Sequence, residues 1–253
     1  MFRILAIGNS FSTDATQYLH QIGIAAGVDN EVVNLYIGGC PLERHWRNIE
    51  GDRREYQLQI NGAKTDRFVS VQDMLDEKQF DAIVTHQASG DSGWENTYEP
   101  FLSLMLGYLR EKSPGSKLFL NETWAYEVGS PHEHFMRYDR DQQVMLTCLR
   151  KAYKDAAQRH GLPLIRSGDL IQRLRETEYF SKGQRCITRD GFHLNYLYGR
   201  YAVALLWAKE IIGVDVAGNS FVPAVDFMPF EEADGEILAV IKRLTQEISN
   251  TAD

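Results

Sequence analysis

The sequence has little of what would attach a protein to a membrane, to nucleic acid or to a disulfide framework. Its 253 residues include three cysteines, Cys40, Cys148 and Cys186, with no C-x-x-C pair. Cysteines that are so few and odd in number argue against a disulfide scaffold and favour a reducing compartment. The longest apolar run, residues 201–208, is far shorter than the roughly 20 residues that span a bilayer. Acidic residues outnumber basic ones by 35 to 27, and the net charge of −8 argues against nucleic acid as a partner.

Other absences bound the organisation of the chain. The first apolar stretch stops at Ile7 and is followed by a glycine, so it is too short for a secretory signal. We therefore expect a cytoplasmic protein, the alternative being a periplasmic or secreted one whose signal peptide is missing from this sequence. There is no internal repeat and no low-complexity segment. The length and a hydrophobic content of 43% are typical of one globular α/β unit, so we expect residues 1–253 to form a single domain.

What the sequence does contain is an alternation of strand and helix patterns. Short apolar runs predict strands at 2–8, 31–37, 80–86, 117–124 and 162–168. Apolar residues at helical spacing predict helices at 13–26, 71–79, 98–112, 132–160 and 195–212, the first of them capped by Thr13 or Asp14. Strands that alternate with long helices favour a three-layer α/β/α fold with about five parallel strands.

Residues 43–70 interrupt this alternation. An Asn61-Gly62 pair lies there between two alternating runs. Asn-Gly suits a type I′ turn, because both central residues of that turn need positive φ. We therefore predict a β-hairpin insertion, as an excursion from the sheet.

Residues with chemical potential follow several predicted strands. Ser10 lies in AIGNSFST after the first strand, Gly38-Gly39 follow the second, Gln87 follows the third and Trp124 ends the fourth. In a parallel sheet, ligands bind outside the carboxyl ends of the strands. We expect these residues to share one edge of the sheet.

A second pattern lies some 180 residues further on, in TRDGFHLN. Asp190 and His193 are three residues apart, just before the last predicted helix. A serine hydroxyl is a weak nucleophile until a base takes its proton, and the base needs an acceptor that fixes its tautomer. One tight loop can supply both groups.

Together these residues resemble the SGNH hydrolases, also called GDSL esterases. The shared features are GNS after the first strand, a glycine loop after the second, an amide after the third and D-x-x-H before the last helix. The resemblance implies a flavodoxin-like α/β/α fold and a cofactor-free serine esterase. It makes Ser10 the nucleophile, His193 the general base and Asp190 the residue that orients it. The main-chain N–H groups of Ser10 and Gly39 would bind the oxyanion, with Gly38 as the rival of Gly39.

The sequence departs from the family pattern at two positions. Asn9 stands where the family usually has Asp, in a place that shapes the loop. In the third block, Gln87 stands where an Asn side chain usually completes the oxyanion hole, and its amide still offers an N–H donor. An ionised Asp91 cannot donate, so we predict Gln87 as the third oxyanion donor. The departures resemble an uncharacterised bacterial branch of the superfamily.

Other readings of these residues stay open. Taken alone, Ser10 fits a structural turn or a phosphate-binding loop at a helix N-terminus. The alternative to an enzyme is a non-catalytic sugar- or phosphate-binding protein on the same fold. His132 and His134 form an H-x-H pair, but no further ligand lies nearby at suitable spacing, so we expect no metal.

The predicted substrate is a small ester with a short acyl group, most simply acetyl, on a sugar-like alcohol. We expect Asn9, Gly38, Trp94 and Trp124 to line its pocket. The loops after the second and third strands are polar, and no long apolar segment is present to hold an acyl chain.

Overall fold

A mixed β-sheet forms the centre of the protein. The computed structural model describes residues 1–181, 185–225 and 230–248, so the end of the predicted domain, residues 249–253, lies outside it. Within these ranges the sheet has seven strands in the order β4-β3-β2-β1-β5-β6-β7. The strands are β1 (Phe2–Gly8), β2 (Asn30–Tyr36), β3 (Tyr56–Ile60), β4 (Ala63–Val69), β5 (Ala82–Thr85), β6 (Lys117–Asn121) and β7 (Leu164–Ile165).

Five of these strands are parallel, as the sequence predicts. β1 lies between β2 and β5 in parallel register, and β6 and β7 continue the sheet beyond β5. The β3–β4 hairpin turns at Asn61 and Gly62, whose φ angles are 52° and 84°, which confirms the positive φ expected of the turn. The prediction of an excursion from the sheet is wrong, because β3 pairs antiparallel with β2 and extends the same sheet to an edge at β4.

The helices differ more from the prediction. Those in the described ranges are α1 (Ser10–Thr16), α2 (Leu19–Ala25), α3 (Leu42–Glu50), α4 (Val71–Glu77), α5 (Phe101–Lys112), α6 (Gln142–His160), α7 (Ser167–Arg175), α8 (Tyr198–Trp207) and α9 (Gly235–Glu247). Two 3₁₀ turns at Glu95–Thr97 and Glu133–Tyr138 precede α5 and α6, and a π-helical turn at Ala208–Ile212 extends α8. The predicted helix 13–26 is two helices, and α3, α7 and α9 were not predicted.

The first helix begins three residues earlier than expected. Asn9 caps α1, its side-chain oxygen accepting the N–H of Phe11 at 3.0 Å. Thr13 and Asp14, the predicted caps, lie inside the helix, and their side chains bind other elements. The earlier start places Ser10 in the first turn of α1.

Helices pack as two groups around the sheet. α1, α2, α7 and α9 all contact α8, while α3 packs against α5. The middle of β1, residues Ile4–Ile7, is fully buried, as expected for a strand covered on both faces. β1, β2, β5 and β6 are parallel, so their carboxyl ends lie along the same side of the sheet. The residues that follow these strands are brought together there. No helix in the described ranges is both long and apolar enough to cross a membrane.

Candidate active site

The turn between β1 and α1 carries Ser10. Besides capping α1, Asn9 donates its side-chain N–H to the carbonyl of Cys40 at 3.2 Å, which ties this turn to the loop after β2. A Cβ on Gly8 would lie 2.5 Å from His86 Nε2, so the turn has no room for another residue there. Ser10 is partly exposed while its neighbours are buried. Its main-chain N–H lies in the first turn of the helix, where such groups lack an intrahelical acceptor.

Asp190 and His193 form a hydrogen-bonded pair. His193 Nδ1 lies 2.6 Å from Asp190 Oδ2, and Asp190 Oδ1 accepts the main-chain N–H of His193 at 2.8 Å. Burial alone would raise the pKa of Asp190, but the hydrogen bonds from the ring and the main chain of His193 outweigh it and the pKa is lowered. An ionised Asp190 keeps the proton on Nδ1, which leaves Nε2 with a lone pair that can accept a proton.

Aromatic stacking joins the two halves of this arrangement. The ring of Phe11, the residue after Ser10, lies 4.1 Å from the ring of Trp124 and nearly parallel to it. Trp124 Nε1 donates to the carbonyl of Phe192 at 2.7 Å, and the Phe11 ring lies 6.0 Å from that of His193. In the described ranges no hydrogen bond joins the Ser10 hydroxyl to His193. Such contacts are often long without substrate and tighten when it binds.

The glycine loop after β2 is open. Gly38 and Gly39 are both exposed, and no atom lies within 4 Å of where a Cβ on Gly39 would be. The φ of Gly39 is +61°, which glycine adopts without strain. At Gly39 the loop therefore presents open main chain beside the Ser10 turn, whereas a Cβ on Gly38 would lie 3.2 Å from the hydroxyl of Tyr36.

Gln87 does not take the role predicted for it. The residue is fully buried, and its Nε2 donates to the carbonyl and the hydroxyl of Thr97 at 3.0 and 3.1 Å. Its Oε1 accepts the main-chain N–H groups of Leu42 and Ala88, so the amide cannot be turned round. Both amide hydrogens are thus already used, and the side chain joins three segments of the fold instead of facing the site.

Ser89, two residues further, carries a partly exposed hydroxyl. Its Oγ lies 2.8 Å from the hydroxyl of Tyr126, which follows β6. Asp91 forms an ion pair with Arg137, as suits an ionised carboxylate that cannot donate. In the sequence, one serine in a polar loop gives no signal of its own.

The predicted pocket residues fall into two kinds. Trp94 is 40% exposed, with the guanidinium of Arg137 5.3 Å above its ring, so it is available to a ligand. Trp124 is fully buried, and the prediction that it lines a pocket is wrong, because it packs between α1 and the loop of His193. Asn9 is buried as a helix cap, and Gly38 is exposed on its loop.

His132 lies next to the loop that carries His193. Its ring is 4.8 Å from that of Phe192 and 4.6 Å from that of Tyr126. Its Nδ1 accepts the N–H of His134 at 3.2 Å, which leaves the proton of a neutral ring on Nε2. Burial and the neighbouring His134 lower the pKa of His132, so the ring is neutral at pH 7. No group of three or more His, Cys, Asp or Glu side chains suited to a metal occurs in the described part of the chain.

Comparison with known proteins places this geometry in a known fold. A family model described as a domain of unknown function, DUF4886, matches residues 3–228. The crystal structure of a DUF4886 family protein from Bacteroides uniformis is 33% identical, with a TM-score of 0.88 over 97% of this chain and 93% of that one. No curated protein matches.

More distant structures share the fold alone. A protein from Slackia heliotrinireducens assigned to the SGNH hydrolases is 20% identical, with a TM-score of 0.60 over 83% of this chain and 98% of that one. An acetylxylan esterase from Geobacillus stearothermophilus is 15% identical, with a TM-score of 0.54 over 83% of this chain and 94% of that one. The SGNH resemblance predicted from the sequence is confirmed at the level of the fold.

Proposed function

The chain belongs to the DUF4886 family and has the SGNH hydrolase fold, and from this premise we propose that it is a serine esterase. The observation that carries the proposal is the Asp190–His193 hydrogen bond of 2.6 Å, in a loop that packs through Trp124 onto the residue after Ser10. A protein that only binds sugar or phosphate has no need of a histidine fixed in this tautomer.

The reaction follows from the roles of three side chains. His193 Nε2 takes the proton of the Ser10 hydroxyl as Ser10 Oγ attacks the ester carbonyl, and Asp190 stabilises the imidazolium that forms. The tetrahedral intermediate collapses as His193 returns the proton to the leaving alcohol, which leaves an acyl-enzyme. A water molecule, deprotonated by His193, then releases the acid and restores Ser10.

Three donors are available for the oxyanion. Two are the main-chain N–H groups of Ser10 and Gly39, at the ends of the neighbouring strands β1 and β2. For the third we replace Gln87 by the hydroxyl of Ser89, because the Gln87 amide is bound to Thr97 and Ser89 is partly exposed. Donors aimed at a developing oxyanion typically contribute about 10²–10³-fold to kcat.

The substrate we propose has a short acyl group and a polar alcohol. The described side chains around this loop include polar groups that solvent reaches, those of the partly exposed Ser89 and His132, and the exposed ring of Trp94. Each buried methylene of a long acyl chain would need an apolar wall to gain about 0.8 kcal/mol. The acetylxylan esterase on this fold gives the alcohol a precedent, and an acetylated sugar is the first compound to try.

A series of p-nitrophenyl esters from acetyl to palmitoyl tests the proposal. We expect kcat/KM to peak at two to four carbons, and Ser10→Ala to lose roughly 10⁴-fold or more because triad residues act as a unit. Ser12→Ala is the matched control, since it removes a neighbouring buried hydroxyl that only donates to the carbonyl of Asn9.

Each part of the proposal can fail separately. Undiminished activity in Ser10→Ala would exclude Ser10 as the nucleophile. A peak at eight or more carbons would exclude a short acyl group. If the wild type hydrolyses no ester and calorimetry detects binding of sugars or phosphate, the protein is a binding protein.

A further inference from the structure

Asp14 is a buried carboxylate that the proposed reaction does not use. It lies on α1, four residues after Ser10, and its side chain is fully buried. Asp14 Oδ1 accepts Arg200 Nε at 2.8 Å and Arg189 Nη1 at 3.1 Å, and Asp14 Oδ2 accepts the main-chain N–H of Leu194 at 2.9 Å. A buried charge persists when it is paired and hydrogen-bonded in this way.

Two of these three partners belong to the loop that carries the base. Leu194 directly follows His193, and Arg189 directly precedes Asp190. The two ends of the loop are paired with each other, by a bridge between Thr188 and Leu194 and by the Arg189 N–H bond to the His193 carbonyl at 2.9 Å. Asp14 therefore binds both ends of the loop, one through Arg189 and the other through Leu194.

The tip of the loop has hydrogen-bond donors of its own. Trp124 Nε1 donates to the carbonyl of Phe192, and the Glu127 N–H donates to the carbonyl of Gly191 at 2.8 Å. Those bonds connect the tip to the segment after β6. Among the described residues, Asp14 makes the polar connection between the loop and the helix of Ser10, in addition to the packing of Phe11.

We propose that Asp14 is a positioning residue that sets the distance between His193 and Ser10; this inference rests on the proposed function. Residues four apart on a helix lie on the same face about one turn apart. One helical turn thus carries both the nucleophile and the anchor of the base. Arg200 is bound to Asp14 from α8 and to Gln17 at 3.2 Å, which fixes the anion on its second side.

The first test compares Asp14→Asn with Asp169→Asn. Asp169 is the matched control, because it is also buried and paired with two arginines, Arg150 and Arg166, but holds α6 and α7. We expect both variants to unfold at lower temperature than the wild type. Only Asp14→Asn should lose kcat, by about 10²-fold with KM little changed, as displacing a catalytic group by about 1 Å does.

The second test does not depend on esterase activity. Proton NMR of the imidazole N–H and amide hydrogen exchange of residues 190–194 report the Asp190–His193 bond and the order of the loop. We expect the Nδ1 proton signal to broaden and exchange to quicken in Asp14→Asn and to stay as in the wild type in Asp169→Asn. An inactive wild type would then contradict the esterase and leave this measurement to decide the role of Asp14.

Arg189→Gln is the milder variant if Asp14→Asn does not fold. It removes one of the two links between Asp14 and the loop and keeps the Leu194 N–H bond. We expect a smaller loss of kcat with the same unchanged KM. Wild-type kcat and wild-type exchange of residues 190–194 in either folded variant would overturn the proposal.

Discussion

Single residues decide which groups can reach a reacting oxygen, and the loop after β5 shows how. Gln87 and Ser89 are two residues apart, yet one is enclosed by four hydrogen bonds and the other is partly exposed. The amide chemistry of Gln87 fits an oxyanion donor, but its partners Thr97, Leu42 and Ala88 already use that chemistry. We expect Gln87→Ala to lower stability first, because it would leave buried donors and acceptors unpaired.

The prediction at this scale concerns Ser89. Ser89→Ala should lower kcat by about 10²-fold with little change in KM, because the hydroxyl would act mainly on the transition state. Steady-state kinetics on p-nitrophenyl acetate measure it. Tyr126→Phe is the control, since it removes the hydroxyl partner of Ser89 and keeps Ser89 itself. An unchanged kcat in Ser89→Ala would leave the oxyanion to the main-chain donors alone.

At the scale of secondary-structure elements, the features that could be predicted are those that a short stretch of sequence determines. The five parallel strands fall in short stretches rich in apolar residues, and the turn at Asn61-Gly62 needs only the φ preferences of two residues. Asp190 and His193 were recognisable because their hydrogen bond is made within four residues. Ser10, whose role as nucleophile stays a prediction, was selected by its place after the first strand.

What escaped prediction depends on contacts across the chain. β7 is two residues long and α7 begins two residues after it. The stretch 162–168, predicted as one strand, therefore contains both a strand and the start of a helix. The bond between Asp14 and Leu194 joins residues 180 apart, and no local pattern marks Asp14 as its acceptor. The enclosure of Gln87 likewise depends on α3, which we did not expect in residues 43–70.

The hairpin gives the prediction at this scale. Gly62 has a φ of +84°, and a Cβ there would lie 2.4 Å from the carbonyl oxygen of Gln17, between α1 and α2. Gly62→Ala should therefore destabilise the fold by more than backbone strain alone, roughly 2–4 kcal/mol. Gly27→Ala is the control, because its φ is +76° but no atom lies within 4 Å. Equal losses in urea unfolding would show that the hairpin contact contributes nothing.

At the scale of the whole molecule, three buried groups make stability depend on pH. Burial lowers the pKa of His45 to about 3 and that of His86 to about 4, from 6.5. Burial, with the nearby Asp169, raises the pKa of Glu122 from 4.5 to about 8. The two histidines are thus neutral in the folded protein at pH 7, and folding favours the protonated form of Glu122.

The signs of the two effects are opposite. Below pH 6.5, His45 and His86 bind protons in the unfolded chain but stay neutral in the folded protein. The free energy of unfolding therefore falls as the pH drops from 6.5 towards 4. Above pH 4.5 the unfolded chain releases the proton that Glu122 keeps, so stability also falls as the pH rises from 4.5 to 8.

The variant Glu122→Gln separates the effect of Glu122 on stability from that of the two histidines. We expect the variant to be more stable than the wild type at pH 8, by roughly 1–3 kcal/mol, and to differ little at pH 4.5. The Gln carbonyl can still accept the Asp169 N–H that Glu122 Oε1 accepts at 3.1 Å. Urea unfolding at both pH values measures the difference. A variant less stable at both would mean that Glu122 is held as a carboxylate.

The two edges of the sheet bear on how copies of this protein behave at high concentration. An unpaired strand is a template on which another chain can add, and such pairing starts aggregates. β7 offers only two residues to such a partner. β4 is longer and mostly exposed, but it carries Lys64, Asp66 and Arg67, whose charges would be brought together when two edges met. The hairpin that contacts the Ser10 helix thus also discourages the exposed edge strand of one copy from pairing with that of another.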